Sequence, residues 1–247
     1  MAQQGPGKQL AGKTAVVTGG GSGIGKAIAV ALASEGCRVA IAGRTESRLK
    51  ETAAAIKKAG GECLPVPADV TDEGEIAALF KRVSSEFGRL DLLVNNAGIT
   101  AGGPIDEMPY ETWRKVLSVN LDGVWLCTRE AFRIMKAQRG GRIINIGSVS
   151  TAVPRPDAAP YSASKNAVWG LTKSVSIDGR PFGISCGQLN PGNVQVERFE
   201  PAFQQGETML RPEDIARAAV YMASLPPDAF VLSMTVMPAK QKLVGRG

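Results

Sequence analysis

The 247 residues, 44% hydrophobic and 21% charged with 29 glycines, have the balance of a globular protein and exclude a disordered or collagen-like chain. The 29 Lys and Arg against 23 Asp and Glu leave +6, with no block of like charge and only 5% aromatic residues, which argues against a nucleic-acid partner and suits a phosphate-bearing small molecule. Histidine is absent, which rules out a Ser-His-Asp triad, a Cys-His pair and an HExxH zinc site and leaves acid–base chemistry to Tyr, Lys, Cys, Asp or Glu.

Short apolar runs alternate with longer amphipathic segments, the pattern of a parallel sheet covered by helices on both faces. Strands are expected near 14–18, 38–43, 63–67, 91–95, 141–147, 183–189 and 230–235, and helices near 23–35, 46–59, 72–87, 109–138, 161–178 and 212–224. The fold class is thus α/β, a doubly wound, mostly parallel seven-stranded sheet. It is expected as one domain over 13–238, between a flexible N-terminal segment 1–12 and a C-terminal tail 239–247. Pro65 and Pro67 donate no ladder hydrogen bond, so the third strand belongs at a sheet edge, where the strand order 3-2-1-4-5-6 puts it. Cys37, Cys63, Cys127 and Cys186 lie far apart with no CxxC spacing and read as reduced thiols. With no apolar leader and no window of 18 apolar residues, the expected location is the cytoplasm, with no membrane partner.

The first strand runs into Thr18-Gly19-Gly20-Gly21-Ser22-Gly23-Ile24-Gly25 and then an Ala-rich helix. Such a loop turns tightly at Gly19, approaches a pyrophosphate at Gly23 and packs helix on strand at Gly25, with the phosphates facing the helix N-terminus. An NAD site would carry Asp or Glu at the end of the second strand; here Gly43-Arg44 stands there. Absence of the acid and presence of the Arg44 guanidinium favour NADP over NAD, the alternative being a solvated surface charge. Ser22 offers no second cation there. Asp69, with Val70 behind it, either accepts from an adenine amino group or helps start the next helix. In Asn95-Asn96-Ala97-Gly98 small residues admit a cofactor closely, although Asn at a strand end is also a turn former.

Ser148 follows the apolar strand Ile143–Ile146 at the carboxyl edge, where open α/β sheets bind ligands. Tyr161 and Lys165, four apart, share a helix face, and an ammonium near a phenol lowers the phenol pKa toward working pH. They form the obvious general acid–base pair. Asn120 sits among Trp113, Val116, Leu117, Leu121, Val124 and Thr128 on an otherwise apolar helix face, where a buried amide implies a structural or proton-relay role.

These residues, with Pro191-Gly192, resemble in order and spacing the short-chain dehydrogenase/reductase family, in the subgroup with a TGxxxGIG loop; the match runs from residue 14 to about 235. The resemblance implies a Rossmann-type fold and hydride transfer between a nicotinamide cofactor and a carbonyl or alcohol, with no metal. It makes Tyr161 the proton donor or base, has Lys165 tune it and bond the nicotinamide ribose, and has Ser148 orient the carbonyl oxygen. Asn120 would hold a water that links Lys165 to solvent. Cofactor contacts would come from Gly19, Gly21, Ser22, Gly23, Ile24, Gly25, Arg44, Asp69, Val70, Asn96, Ala97, Gly98, Tyr161, Lys165, Pro191, Gly192 and Val194. The family's PGxVxT pattern ends here in Val196, removing a hydroxyl that commonly meets the cofactor, and Cys186-Gly187 stands where many relatives have Val-Asn. A homodimer or homotetramer is expected. Val153, Pro154 and Phe199 would meet an apolar substrate, Arg155 or Arg198 an anionic one, if they are not surface residues. The remaining alternatives are NAD-dependent alcohol oxidation and a non-catalytic nucleotide-binding module.

Overall fold

A computed structural model describes residues 8–196 and 208–242. Seven parallel strands form one sheet in the order β3-β2-β1-β4-β5-β6-β7. They are β1 (Thr14–Thr18), β2 (Arg38–Gly43), β3 (Cys63–Pro67), β4 (Leu92–Asn95), β5 (Gly141–Ile146), β6 (Ile184–Pro191) and β7 (Ser233–Val236). The helices are α1 (Gly23–Ser34), α2 (Glu46–Lys58), α3 (Glu73–Phe87), α4 (Tyr110–Leu117), α5 (Gly123–Gln138), α6 (Ala159–Gly179) and α7 (Pro212–Ser224). Side chains alternate across each strand, so Val17, Ile41 and Leu189 pack under α1, α2 and α7, while Val16, Leu93 and Ile143 pack under α3, α5 and α6. The chain reverses from one half of the sheet to the other between β1 and β4, opening a crevice at their carboxyl ends.

β3 pairs only with β2, so Pro65 and Pro67 sit on the sheet edge as expected. Asp72 caps α3 by accepting from the Glu75 N–H at 2.8 Å, and Gly88 ends it in the left-handed region at φ 74°. The structure differs from the expected elements at five places. The helix expected over 109–138 is broken by a π-turn at Ser118–Asp122, which shifts the side-chain phase around Asn120. α6 starts two residues early because Pro160 suits a first helical turn, and β7 begins at Ser233 instead of 230. At the N-terminal end, in the segment expected to be flexible, Leu10 is buried in the core and donates its N–H to the Glu35 carbonyl. At the C-terminal end Gln241, expected in a tail, is only 7% exposed.

Apolar strands also hide a polar line. Asn95 Nδ2 donates to Thr128 Oγ1 and Asn145 Oδ1, Asn145 Nδ2 to Thr172 Oγ1, Gln188 Nε2 to Asn190 Oδ1, and Asn190 Nδ2 to Ser233 Oγ. Thr172 Oγ1 lies 3.5 Å from Gln188 Oε1, which joins the two halves of the line. Each amide is buried, and partners on neighbouring strands and helices offset the desolvation cost of all but the Asn95 Oδ1, which has no partner among the described residues. The line runs beneath the strand ends that carry the candidate site.

Candidate active site

The glycine loop takes its shape from Thr18. Its Oγ1 accepts from the N–H groups of Asn96 and Ala97, both at 3.0 Å, while Asn96 Nδ2 donates to the Thr18 carbonyl at 2.9 Å. Asn96 therefore clamps the end of β4 to the loop after β1. Gly19 turns there at φ 67°, and a Cβ on Gly25 would lie 2.3 Å from the Gly19 carbonyl, so α1 reaches the strand only with glycine at that position. Ser22 precedes α1 in extended backbone and its side chain makes no cap bond, leaving the helix N-terminus facing the crevice.

Two connected hollows lie along the carboxyl edge. The smaller, about 380 Å³, is bounded by Gly19, Gly21, Ser22, Gly43, Arg44, Arg48, Asp69, Val70 and the Ala97–Gly98 turn. The larger, about 560 Å³, runs from Ser22, Gly23 and Ile24 past Asn96, Ala97 and Gly98 to Ser148, Tyr161, Lys165, Pro191, Gly192 and Val194. Every expected catalytic or cofactor residue borders one or the other except Gly25, which packs beneath the loop, and Asn120; Val153 and Pro154, expected against an apolar substrate, border neither, and Pro154 is exposed. The wall that the sequence left short of charge is completed by Arg48 in the first turn of α2, whose Cβ would lie 3.2 Å from a Cβ placed on Gly21. Its signal was the four-residue spacing from Arg44 across a helix start, which only the turn into α2 converts into proximity.

Asp69 builds the turn before α3: its Oδ1 accepts from the Thr71 N–H at 2.9 Å and hydroxyl at 2.8 Å, while its own N–H donates to Glu75. Both expected roles are compatible with that place, since Asp69 also borders the smaller hollow. Val196 lies against Gly23, so a methyl group occupies the position where the resemblance led to a threonine hydroxyl. Phe199 and Arg198, expected at the substrate, lie outside the described residues.

At the far end, Ser148 starts a short 3₁₀ turn, Val149–Thr151, and its Oγ accepts from the Ser150 N–H at 3.1 Å. Its hydroxyl meets Tyr161. Lys165 is buried, donates to the Ile146 carbonyl at 2.7 Å, and holds its Nζ 5.7 Å from the centre of the Tyr161 ring. The expected pKa arrangement is corrected here. Burial pushes the Tyr161 phenol up, and what opposes it is the Ser148 hydrogen bond and the charge of Arg155. Lys165, the expected agent, is itself pushed down to about 8 by burial.

Asn120 is fully buried at the π-turn. Its Oδ1 accepts from the Ile99 N–H at 2.8 Å, and its Nδ2 donates to the Ile99 carbonyl at 2.9 Å and to Ser164 Oγ at 3.2 Å. Both amide hydrogens are thereby used. Ser164 in turn donates to the Tyr161 carbonyl at 2.7 Å, so the Asn120 side chain ties the wall at Ile99 to the turn of α6 that carries the phenol. That is the structural role; Ser164, the intermediary, was not singled out from the sequence.

The donor set and the shape fit an extended dinucleotide: a glycine-lined approach to a helix N-terminus, two guanidinium groups beside the hollow at β2, and a phenol at the opposite end. Among known proteins, the short chain dehydrogenase family matches residues 13–207. A cis-4-hydroxycyclohexanecarboxylate dehydrogenase of Sinomonas cyclohexanicum is 38% identical over 88% of this chain and 92% of its own. A 3-oxoacyl-[acyl-carrier-protein] reductase of Synechocystis is 36% identical over 92% of this chain and 95% of its own. Among solved structures, a substituted actinorhodin polyketide ketoreductase determined with NADPH superposes with a TM-score of 0.85 at 31% identity, covering 93% of this chain and 97% of that one.

Proposed function

The chain belongs to the short-chain dehydrogenase/reductase family and is an NAD(P)-dependent oxidoreductase, and from this we propose that it reduces a small carbonyl compound, or oxidises the corresponding alcohol, with NADP as the favoured cofactor. The observation that carries the cofactor choice is the hollow beside β2, where Gly43 replaces an acid and Arg44 and Arg48 stand together. Two guanidinium groups suit a 2′-phosphate, whereas a carboxylate would repel it. When bound, the nicotinamide supplies or accepts the hydride.

The remaining chemistry is assigned to this chain's own groups. The Ser148 hydroxyl bonds the substrate oxygen and fixes its direction, and the Tyr161 phenol passes its proton to that oxygen in reduction or takes it back in oxidation. Lys165 would bond the nicotinamide ribose, while the Ser148 hydrogen bond and the charge of Arg155 offset the burial that holds the phenol up. Gly19, Gly21, Ser22, Gly23 and Ile24 would line the pyrophosphate path. Asp69 and Val70 would meet the adenine, Asn96, Ala97 and Gly98 the ribose, and Pro191, Gly192 and Val194 the nicotinamide. The substrate end is walled by Thr100, Ala101, Gly102 and Ala158, all small, with Arg155 as a cation. Compact substrates carrying a carboxylate suit that composition, and the name of the Sinomonas relative includes such a group.

Trp125 on α5 and Ile177 on α6 are 47% and 60% exposed, which supports a homodimer through these helices; a tetramer would also use Tyr221, Phe230 and Leu232 at the β7 end. The protein is assigned to the cytoplasm on its reduced cysteines. The first test is a pair of fluorescence titrations with NADPH and NADH at one salt concentration, with Tyr161→Phe as a control that still binds. Tighter NADPH binding is expected. Equal or NADH-favoured binding overturns the cofactor choice, and no binding of either overturns the dehydrogenase mechanism.

A further inference from the structure

The chain past β7 folds back onto the wall of the larger hollow. Gln241 donates its N–H to the Pro238 carbonyl at 3.0 Å, and this turn buries its side chain although Lys240 and Lys242 flank it. Gln241 Oε1 accepts from the Asn193 N–H at 2.6 Å. One residue earlier, the Gly192 N–H donates to the Val236 carbonyl at 2.8 Å. β6 and β7 have ended at that point, and Gln241 provides the acceptor for the Asn193 N–H just past the end of the strand.

The fit is close. A Cβ on Gly192 would lie 2.4 Å from Gln241 Oε1 and 2.9 Å from Pro238 Cδ, so the turn and the C-terminal segment require each other's shape. Gln241 Nε2 is buried with no hydrogen-bond partner among the described residues. An apolar side chain of similar volume would avoid that desolvation cost, so the amide is held for its oxygen. The effect continues into the cleft: the Asn193 side-chain oxygen accepts from Arg155, which borders the hollow beside Tyr161.

We propose that Gln241 is a positioning residue for the nicotinamide half of the cofactor, holding the Pro191-Gly192-Asn193 turn by its one acceptor and, through Asn193, setting Arg155 beside the substrate. This rests on the dinucleotide reading above. It gives a role in the site to a segment beyond the last strand.

The test uses the full chain with Gln241→Met, which keeps volume and removes the acceptor, and Gln241→Glu, which keeps an acceptor oxygen. Each is titrated with NADPH and with adenosine 2′,5′-bisphosphate, which lacks the nicotinamide half, and its unfolding midpoint is recorded. Gln241→Met should weaken NADPH about ten-fold, leave the bisphosphate within about two-fold, and be restored by Gln241→Glu to within about three-fold of the parent, as expected for one hydrogen bond. Gln241→Asn, which retracts the oxygen, serves the same purpose if the methionine variant does not fold. Unchanged NADPH affinity overturns the proposal, and so does parallel weakening of both ligands, which marks a structural role only. If the parent chain prefers NADH, NADH and AMP replace the pair; if it binds no dinucleotide, the cofactor reading fails first and this inference falls with it.

Discussion

Replacing Gly43 by Asp tests the cofactor argument at its source. Gly43 ends β2 and borders the hollow that Arg44 and Arg48 share. A Cβ there would meet only Leu49 Cδ2 at 3.6 Å, an ordinary contact, so the backbone accepts a side chain at that position. At about 5 Å from a doubly charged 2′-phosphate, a carboxylate costs about 2 kcal/mol at the dielectric of water and about 7 kcal/mol at an effective value near 20. The hollow is open and both guanidinium groups are exposed, so the lower figure governs, and NADPH affinity should fall about 30-fold. NADH should gain about five-fold, because the carboxylate accepts from the ribose hydroxyls for about 1 kcal/mol. Fluorescence titrations with both nucleotides at about 50 and 300 mM salt measure this, and the NADPH loss should shrink at the higher salt as screening grows. An NADPH affinity within about three-fold of the parent, or an equal loss for both nucleotides, would refute the reasoning, since an electrostatic clash acts only on the phosphate-bearing ligand.

Three further outcomes are expected. Tyr161→Phe removes the proton-transfer group and should lower kcat about 10³-fold while dinucleotide affinity stays within about two-fold; turnover near the parent level would place the acid elsewhere. Lys165 titrates at about 8 in the fold against 10.5 for the free side chain, so the unfolded chain binds more protons between those values. The cost of burying the ammonium is therefore full below pH 8 and fades as pH rises toward 10.5. In the absence of ligand, Lys165→Met should stabilise the protein at pH 7 by about 2 kcal/mol, after allowance for the lost bond to Ile146, with the gain gone in alkaline denaturant titrations; a destabilisation that does not change with pH would refute this. Thr18→Val strands the N–H groups of Asn96 and Ala97 and should cost about 2–4 kcal/mol in urea unfolding, whereas a loss under about 0.5 kcal/mol would mean the β1–β4 clamp is satisfied another way.

Much of the site was legible because it depends on short-range rules. The period of the apolar residues marked strands and helices, two prolines put β3 at the sheet edge, and a glycine-rich run between a strand and a helix marked a candidate anion site, all within windows of a few residues. The order Ser148, Tyr161, Lys165 on one strand end and one helix face likewise needed only local geometry. Other features needed the assembled fold. Asn120 read as a residue on a helical stripe, yet the π-turn moved it onto Ile99, and the phase of a helix cannot be read past a bulge that tertiary packing imposes. Asn145, in an otherwise apolar strand, gave no hint of Asn95, Thr172 and Gln188 as partners, because cross-strand and helix contacts join positions far apart in sequence.

The phenol pKa divides the two levels most sharply. By itself the sequence determined that Tyr161 and Lys165 share a helix face, since four residues make about one turn. Only the tertiary structure decided their environment: burial lowers Lys165 and raises Tyr161, while Ser148, just past the end of β5, and Arg155, in the loop before α6, oppose the rise. The same holds for Gln241, a polar residue between two lysines that local pattern assigns to solvent and the fold carries onto Asn193. Local sequence determines backbone shape because steric and hydrogen-bonding preferences act over one turn or one strand; desolvation and through-space charge depend on which distant segments close around a group.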